Sequence, residues 1–254
     1  MNETVAGRWR RGRERCAQAG GLLLALALIG LSTACSRELS EKYLREQAAS
    51  PGTEVLRVAE EQKIRALIAR LSAVAGVEHV RTRLTDACGR PSRSSVFESN
   101  RSPDALTCQM QAVAYFGVPG DIGTALTRIG AARLAAWGPQ DDQGRDVPGA
   151  AGTVTYALEY HRARGTYPDG SLMSAPTLEV PGLQIDWDRP DLPLRNVIAE
   201  PAPCAADDTA GIYSRCSTVP PEPISVAAAR ARYGTILTLT LHLSPHYFTV
   251  PRRK

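Results

Sequence analysis

The longest regular alternation of apolar and polar positions runs from Ser50 to about Ala75. Within it Ile64, Leu67, Ile68, Leu71 and Val74 recur at the i, i+3, i+4, i+7 spacing of a helix with one buried face. Glu61 and Arg65 are placed to pair on its wet side. Pro51 suits the first turn, where its missing N–H costs nothing, and Gly76 suits the C-terminal cap. Period two takes over further on. Cys108, Met110, Ala112, Ala114 and Phe116 alternate with Gln109, Gln111, Val113 and Tyr115, which predicts a strand with one buried side. Val118-Pro119-Gly120 turns the chain, and Asp121 caps a second helix with Ile122, Leu126, Ile129, Ala132 and Ala136 on its inner face. Gly138-Pro139 stops that helix. Val154, Tyr156, Leu158 and Tyr160, alternating with Thr155, Ala157, Glu159 and His161, predict another strand. Leu178 to Val180 and Leu183 to Ile185 flank Pro181-Gly182, the dipeptide of a type II turn, so a short hairpin or bulged strand is expected. Leu237, Leu239, Leu241 and Leu243 mark the strongest strand, which resumes from Tyr247 to Val250 after Ser244-Pro245. Ile224 to Tyr233 fits helix and strand equally.

Two segments carry neither period. Asp86 to Thr107 is rich in Ser, Arg, Asn and Pro and reads as a surface loop. Asp188 to Pro223 holds seven prolines; a stretch of that length inside a domain is usually functional or disordered, and the prolines favour an ordered loop. It is the expected recognition surface. The order of elements predicts an α+β fold: a mainly antiparallel sheet with two helices packed on one face, in a single domain over 51–254. A parallel crossover in the first strand-helix-strand unit also fits.

The N-terminal 34 residues have a different character. Arg8, Arg10, Arg11, Arg13 and Arg15 form a basic head, and Ala19 to Leu31 gives thirteen consecutive apolar or glycine residues. Ser32-Thr33-Ala34-Cys35 follows, the layout of a cleavable secretory signal. The ending resembles a bacterial lipoprotein signal, with Thr33 and Ala34 fitting its small positions and Ser32 standing where an aliphatic residue is commoner. That resemblance implies a signal peptide over 1–34 and a mature chain beginning at Cys35. It also implies lipid attachment there, a diacylglyceryl thioether with a further acyl chain such as palmitate on the new amino terminus. Two acyl chains hold a protein stably where one gives marginal binding. Residues 35–50 are then a membrane-proximal tether, with Leu39, Tyr43 and Leu44 their only large apolar residues. Two other readings stay open: an uncleaved single-pass signal anchor, since Cys16 to Ser36 is twenty-one residues without charge, and free secretion after a cut at Ala34.

Charge and cysteine usage agree with export. The leader holds five Arg and two Glu, so the mature part carries 25 basic and 24 acidic side chains and a formal charge near +1, against +4 for the whole chain. No nucleic-acid partner is expected from that balance. Outside the leader and Cys35 the cysteines are Cys88, Cys108, Cys204 and Cys216, which allow three connectivities. Disulfides Cys88 with Cys108 and Cys204 with Cys216 are favoured because each closes a polar or proline-rich loop; a zinc site is the rival, without CxxC spacing.

Candidate chemistry is sparse. His242 and His246 are separated by Pro245 after a leucine strand, which removes the helical geometry of a zinc motif. His161 falls on a polar strand side and His79 in a short polar connection. Asp186, Asp188 and Asp191 surround Trp187, and Asp141, Asp142 and Asp146 form a second acidic group; both read as solvated turns rather than calcium loops. No GxSxG, SxxK, P-loop or HExxH motif occurs, so no catalytic residue, metal ligand or cofactor is assigned. The arrangement of a strand, a Pro-Gly turn, a helix ending in Trp137-Gly138 and another strand behind a lipid cysteine resembles small exported lipoproteins of actinobacterial type whose function is unknown. The expectation is a membrane-anchored envelope lipoprotein facing the extracytoplasmic side. It would hold membrane lipid through its anchor and present a binding or scaffolding domain to an envelope protein or small ligand. The alternative is an exported hydrolase acting on a cell-envelope polymer.

Overall fold

The computed structural model describes residues 39–91, 102–204 and 211–252. The expected signal peptide over 1–34 and Cys35 lie outside the described residues, as does 92–101, the middle of the expected loop after Asp86. Among the described residues the architecture is α+β, with five helices and an antiparallel sheet of seven strands. Among the described residues no helix is long and apolar enough to cross a membrane.

Two helices come first. α1 (Glu41–Ala48) is capped by Ser40, and Leu44 and Ala48 on it are fully buried, so the segment expected to be a tether is already part of the fold from Leu39 onward. Its charged residues are exposed and two apolar ones suffice to dock it. α2 (Pro51–Ser72) has Ser50 as its N-cap, accepting from the Thr53 N–H, with Pro51 in the first turn. Ile64 and Leu71 on α2 are fully buried, as the helical spacing requires.

The sheet is built on two long strands, β1 (Glu78–Gly89) and β2 (Asp104–Pro119). Both ends of the expected loop, 86–89 and 104–107, are therefore strand. Cys88 stands opposite Cys108, so the polar segment between them starts and ends on adjacent strands. The inward alternation of β2 is as expected, with Cys108, Met110, Ala112, Ala114 and Phe116 all fully or almost fully buried. α3 (Ile122–Ala131) follows, with Asp121 accepting from the Thr124 N–H at 2.8 Å. It stops earlier than the pattern suggests: Arg133 takes a positive φ of 47°, and Leu134 and Trp137 fill the core in place of the exposed Ala132 and Ala136.

Residues Val154–Arg162 form α4, not a strand. The Thr153 hydroxyl caps it by accepting from the Tyr156 N–H, and Tyr156, Ala157 and Tyr160 are its buried residues. One strand on which the lipoprotein-like layout rested is thus a helix. β3 (Leu178–Val180) and β4 (Leu183–Trp187) make the hairpin about Pro181-Gly182, where Gly182 adopts φ +79° as a type II turn demands. β5 (Tyr213–Val219) lies inside the proline-rich stretch expected to be irregular, α5 (Val226–Tyr233) settles the ambiguous segment as helix, and β6 (Gly234–Leu241) and β7 (Phe248–Pro251) close the chain.

The strand order is β3-β4-β6-β2-β1-β5, with β7 pairing the first part of β2, and β5 is an edge. Ile64 and Leu71 of α2, Ala125, Leu126 and Ile129 of α3 and Ala157 of α4 group with Leu84, Met110, Ala112, Phe116, Leu237 and Leu239 on one sheet face, while Tyr156 and Tyr160 of α4 pack with Met173. Those of α5 group with Tyr115 and Ile236, positions of opposite parity, and with Val80, which sits at the register shift between His79 and Arg81. The expectation of two helices on one face is corrected to five helices with α5 in a cluster of its own. Gly117 makes the α5 contact possible, because a Cβ there would collide with the Tyr233 ring.

Candidate functional site

α2 and the edge strand β5 run alongside one another, and their repeats match. Four helical residues rise about 6 Å, and two strand residues span about 6.6 Å. The first rung is Arg57 over Tyr213, with the guanidinium carbon 4.2 Å from the ring centroid. The next is Glu61 with Arg215, at 2.7 Å. Further along, Ala69, Ala73 and Val219 line the same space. There the residues become small, and the two elements no longer fill the space between them.

The result is an open groove of about 410 Å³ walled by Ile68, Ala69, Ala73, Leu84 and Val219. Its polar groups are Ser72, Thr82 and His79, with Arg65 at the mouth. Arg65 is turned toward Glu61, its Nη2 2.6 Å from Oε1. His79 Nε2 lies 2.8 Å from the Thr82 hydroxyl, and the ring meets Phe116 edge-on at 5.5 Å between centroids. Burial lowers the pKa of this histidine, so the imidazole is neutral around pH 7. His79 is therefore a strand residue facing a groove rather than part of a polar connection. Nothing in the sequence marked it, because the residues that define the groove lie on three elements.

Below the groove the ladder rests on a buried ion pair. Arg57 Nε donates to Asp86 Oδ2 at 2.6 Å, and its Nη2 donates to the Ala48 carbonyl at 2.9 Å, tying α1 to α2. Arg57 also binds Glu54. The Tyr247 hydroxyl donates to Asp86 Oδ1 at 2.6 Å. Burial pushes the Asp86 carboxyl up, opposed by the Tyr247 hydrogen bond and the Arg57 charge; burial and the Asp86 contact hold the Tyr247 phenol above its ordinary value. Both oxygens of the carboxylate accept inside the fold and the side chain is fully buried, so the cluster is a structural tie.

Four of the six acids flagged in the sequence, Asp141, Asp146, Asp186 and Asp188, are likewise engaged. Asp186 accepts from Arg189 Nη1 at 2.7 Å and Asn196 Nδ2 at 2.9 Å. Asp188 accepts from the backbone N–H groups of Ile198 and Ile236 and from Arg230. Asp141 binds Arg145, and Asp146 accepts from the Thr155 hydroxyl. His161 pairs with Asp121 at 2.9 Å, while His242 and His246 stand apart on exposed positions after β6. Among the described residues no group of three or more His, Cys, Asp or Glu side chains is placed to hold a metal ion. The four cysteines are joined as expected, Cys88 with Cys108 and Cys204 with Cys216. Comparison with protein-family models, with curated proteins and with solved structures gave no match.

Proposed function

We propose that this chain is a lipid-anchored envelope protein facing the extracytoplasmic side, whose domain captures an apolar ligand or partner segment in the groove between α2 and β5. The observation that carries the reading is the end of the helix–strand ladder. Large, mutually bonded side chains fill the first rungs, and Ala69, Ala73 and Val219 leave the last ones open with apolar walls. A cleft of that size and lining accommodates a small apolar body, and His79, Thr82 and Ser72 offer hydrogen bonds to orient it. The basic leader, short apolar run and Cys35 support the address, and the two disulfides suit an oxidising compartment.

The test uses anilinonaphthalene sulfonate, an apolar fluorescent anion, as the probe. Ala69→Trp places an indole over the groove at an exposed helix position. Wild type should enhance probe fluorescence at a single site and the variant should lose that enhancement with its melting temperature retained. Equal enhancement in both proteins would remove the groove as the binding site. The anchor is tested separately: Cys35→Ala should block lipid labelling and move the protein out of the detergent phase.

A second reading, an exported hydrolase, draws on one contact. The Thr82 hydroxyl and the neutral His79 ring are within hydrogen-bonding distance, as a nucleophile and its general base would be. A fluorophosphonate adduct found on Thr82 by peptide mass mapping would support it, and an unmodified Thr82 under conditions that label a control serine hydrolase would end it.

A further inference from the structure

The outer side of α2 carries an exposed uncharged seam that meets the groove only at its C-terminal end, at Ala69 and Ala73. Thr53, Arg57, Glu60, Ile64 and Leu71 face inward. On the opposite side Val55, Ala59, Gln62, Ala66, Ala69 and Ala73 recur at alternating steps of four and three, and all are exposed. The seam is uncharged over the whole helix, roughly 33 Å long at the α-helical rise. Its N-terminal end is plainly apolar. Val55, Leu56 and Val58 are 69%, 44% and 44% exposed, three large hydrophobic residues within four positions. Lys63, Arg65 and Arg70 border the seam toward its other end; Lys63 lies 3.1 Å from the buried Glu60, Arg65 2.6 Å from the largely covered Glu61, and Arg70 donates to the Arg133 carbonyl, so the acid of α2 that is well exposed is Glu54, which is held by Arg57.

Charge decides between occupants. Steps of three and four also describe a coiled-coil seam, which a second copy of the helix would fill. Antiparallel pairing about the middle of that seam sets Lys63 against Lys63 and Arg65 against Arg65, and parallel pairing sets Arg65 beside Arg70. Both arrangements confront like charges. An anionic lipid surface complements the same cations and accepts the apolar end into its headgroup region. Chain length points the same way. Cys35 precedes Leu39 by four residues, a span of at most about 14 Å. Leu39 leads into α1, whose buried Leu44 and Ala48 group with Cys88 and Cys108, on the sheet face that also carries α2.

We propose that the exposed face of α2 lies against the anionic surface of the membrane that holds the chain, with Val55, Leu56 and Val58 in the headgroup region and Lys63, Arg65 and Arg70 over lipid phosphates. This rests on the reading of Cys35 as the lipid anchor.

The test uses the full processed protein, reconstituted in vesicles of phosphatidylcholine with about 30% phosphatidylglycerol, an anionic content chosen to give a negative surface, and in phosphatidylcholine alone. Nitroxide labels are placed at Val58→Cys on α2 and at the exposed Ala227→Cys on α5 as a control. In the anionic vesicles the label at 58 should lose accessibility to aqueous nickel relaxant severalfold and gain accessibility to oxygen, while the label at 227 stays in water. Lys63→Glu with Arg70→Glu should restore access at 58. Intact mass separates the two levels of the claim. A lipidated chain whose label at 58 is as water-accessible as that at 227 overturns the docking face alone. A short distance between labels at 58 on different molecules overturns it in favour of a second copy. A chain without lipid removes the anchor and the docking face together.

Discussion

Arg57 and Asp86 form an ion pair, Nε to Oδ2 at 2.6 Å, in which neither side chain shows more than 2% of its surface to solvent. Through it α2 is fastened to β1, and the Ala48 carbonyl on Arg57 Nη2 fastens α1 to α2. Such a pair is maintained by mutual satisfaction rather than by net attraction, since desolvating two charges roughly cancels their Coulomb gain. Asp86→Leu alone should therefore destabilise by about 3–5 kcal/mol by stranding the guanidinium. Asp86→Leu with Arg57→Met should recover most of that loss in urea denaturation. A double variant no more stable than the single one would show that the tie is a source of stability in itself.

Glu60 offers the converse case. It is almost wholly buried, its Oε1 has no hydrogen-bond partner, and its Oε2 reaches Lys63 at 3.1 Å. A half-satisfied buried carboxylate costs more than an apolar side chain of the same volume. Glu60→Met is expected to raise stability by about 1 kcal/mol, within the range of such replacements. Thermal unfolding of both proteins at pH 7 decides this, and a lowered melting temperature would contradict it.

How much of this was legible from sequence depends on what the signal required. The α2 stripe, the inward face of β2 and the Pro181-Gly182 hairpin are local periodicities, and each formed where its pattern lies. At residues 154–161 two periods coincide, because Tyr156 and Tyr160 are both an even number of residues apart and one helical turn apart. Thr153 as a cap and His161-Arg162 in the last turn decide for helix. β5 was hidden because a half-buried edge strand such as Tyr-Ser-Arg-Cys-Ser-Thr-Val carries no apolar alternation. The groove was hidden for a stronger reason. It is defined by small residues at the end of α2 that only tertiary register brings level with His79, Thr82 and Leu84 of β1 and Val219 of β5.

The burial of His79 has a consequence for pH. Its folded pKa is depressed below the ordinary 6.5, so between those two values the unfolded chain binds more protons than the folded one. The stability contributed by the neutral ring is complete above about 6.5 and declines as the pH falls through that value toward the depressed one. The difference in urea midpoint between wild type and His79→Gln should shift against the wild type on going from pH 7.5 to 5.5, values bracketing the ordinary histidine pKa of about 6.5. A difference independent of pH would show that the folded ring titrates as an ordinary histidine.

Asp188 bears on the segment that sequence alone marks as a recognition loop. Its two oxygens accept from the N–H groups of Ile198 at 2.7 Å and Ile236 at 3.0 Å and from Arg230 at 2.8 and 3.1 Å. Arg230 Nη2 also donates to the Ile198 carbonyl at 2.6 Å. Two residues on, Glu200 pairs with Arg81 and accepts from the Val226 N–H at the start of α5. The stretch from Asp188 to Glu200 is thus a strap that seats α5 beside β6, with Asn196 tied back to Asp186. Excising Pro190 to Pro201 would remove Asn196, Ile198 and Glu200 together, so the shortened chain should lose cooperative unfolding rather than only a binding surface. The single change Asp188→Ala tests the same idea more gently. It leaves a half-buried guanidinium and two backbone donors without their acceptor, each worth about 1–3 kcal/mol when stranded, and should cost about 3 kcal/mol or more once the strap loosens. Hydrogen exchange at Ile198 and Ile236 should rise with it, while exchange in α2 stays protected. Unchanged protection at both amides in Asp188→Ala would show that the strap is held by Glu200 and the Cys204 to Cys216 disulfide instead.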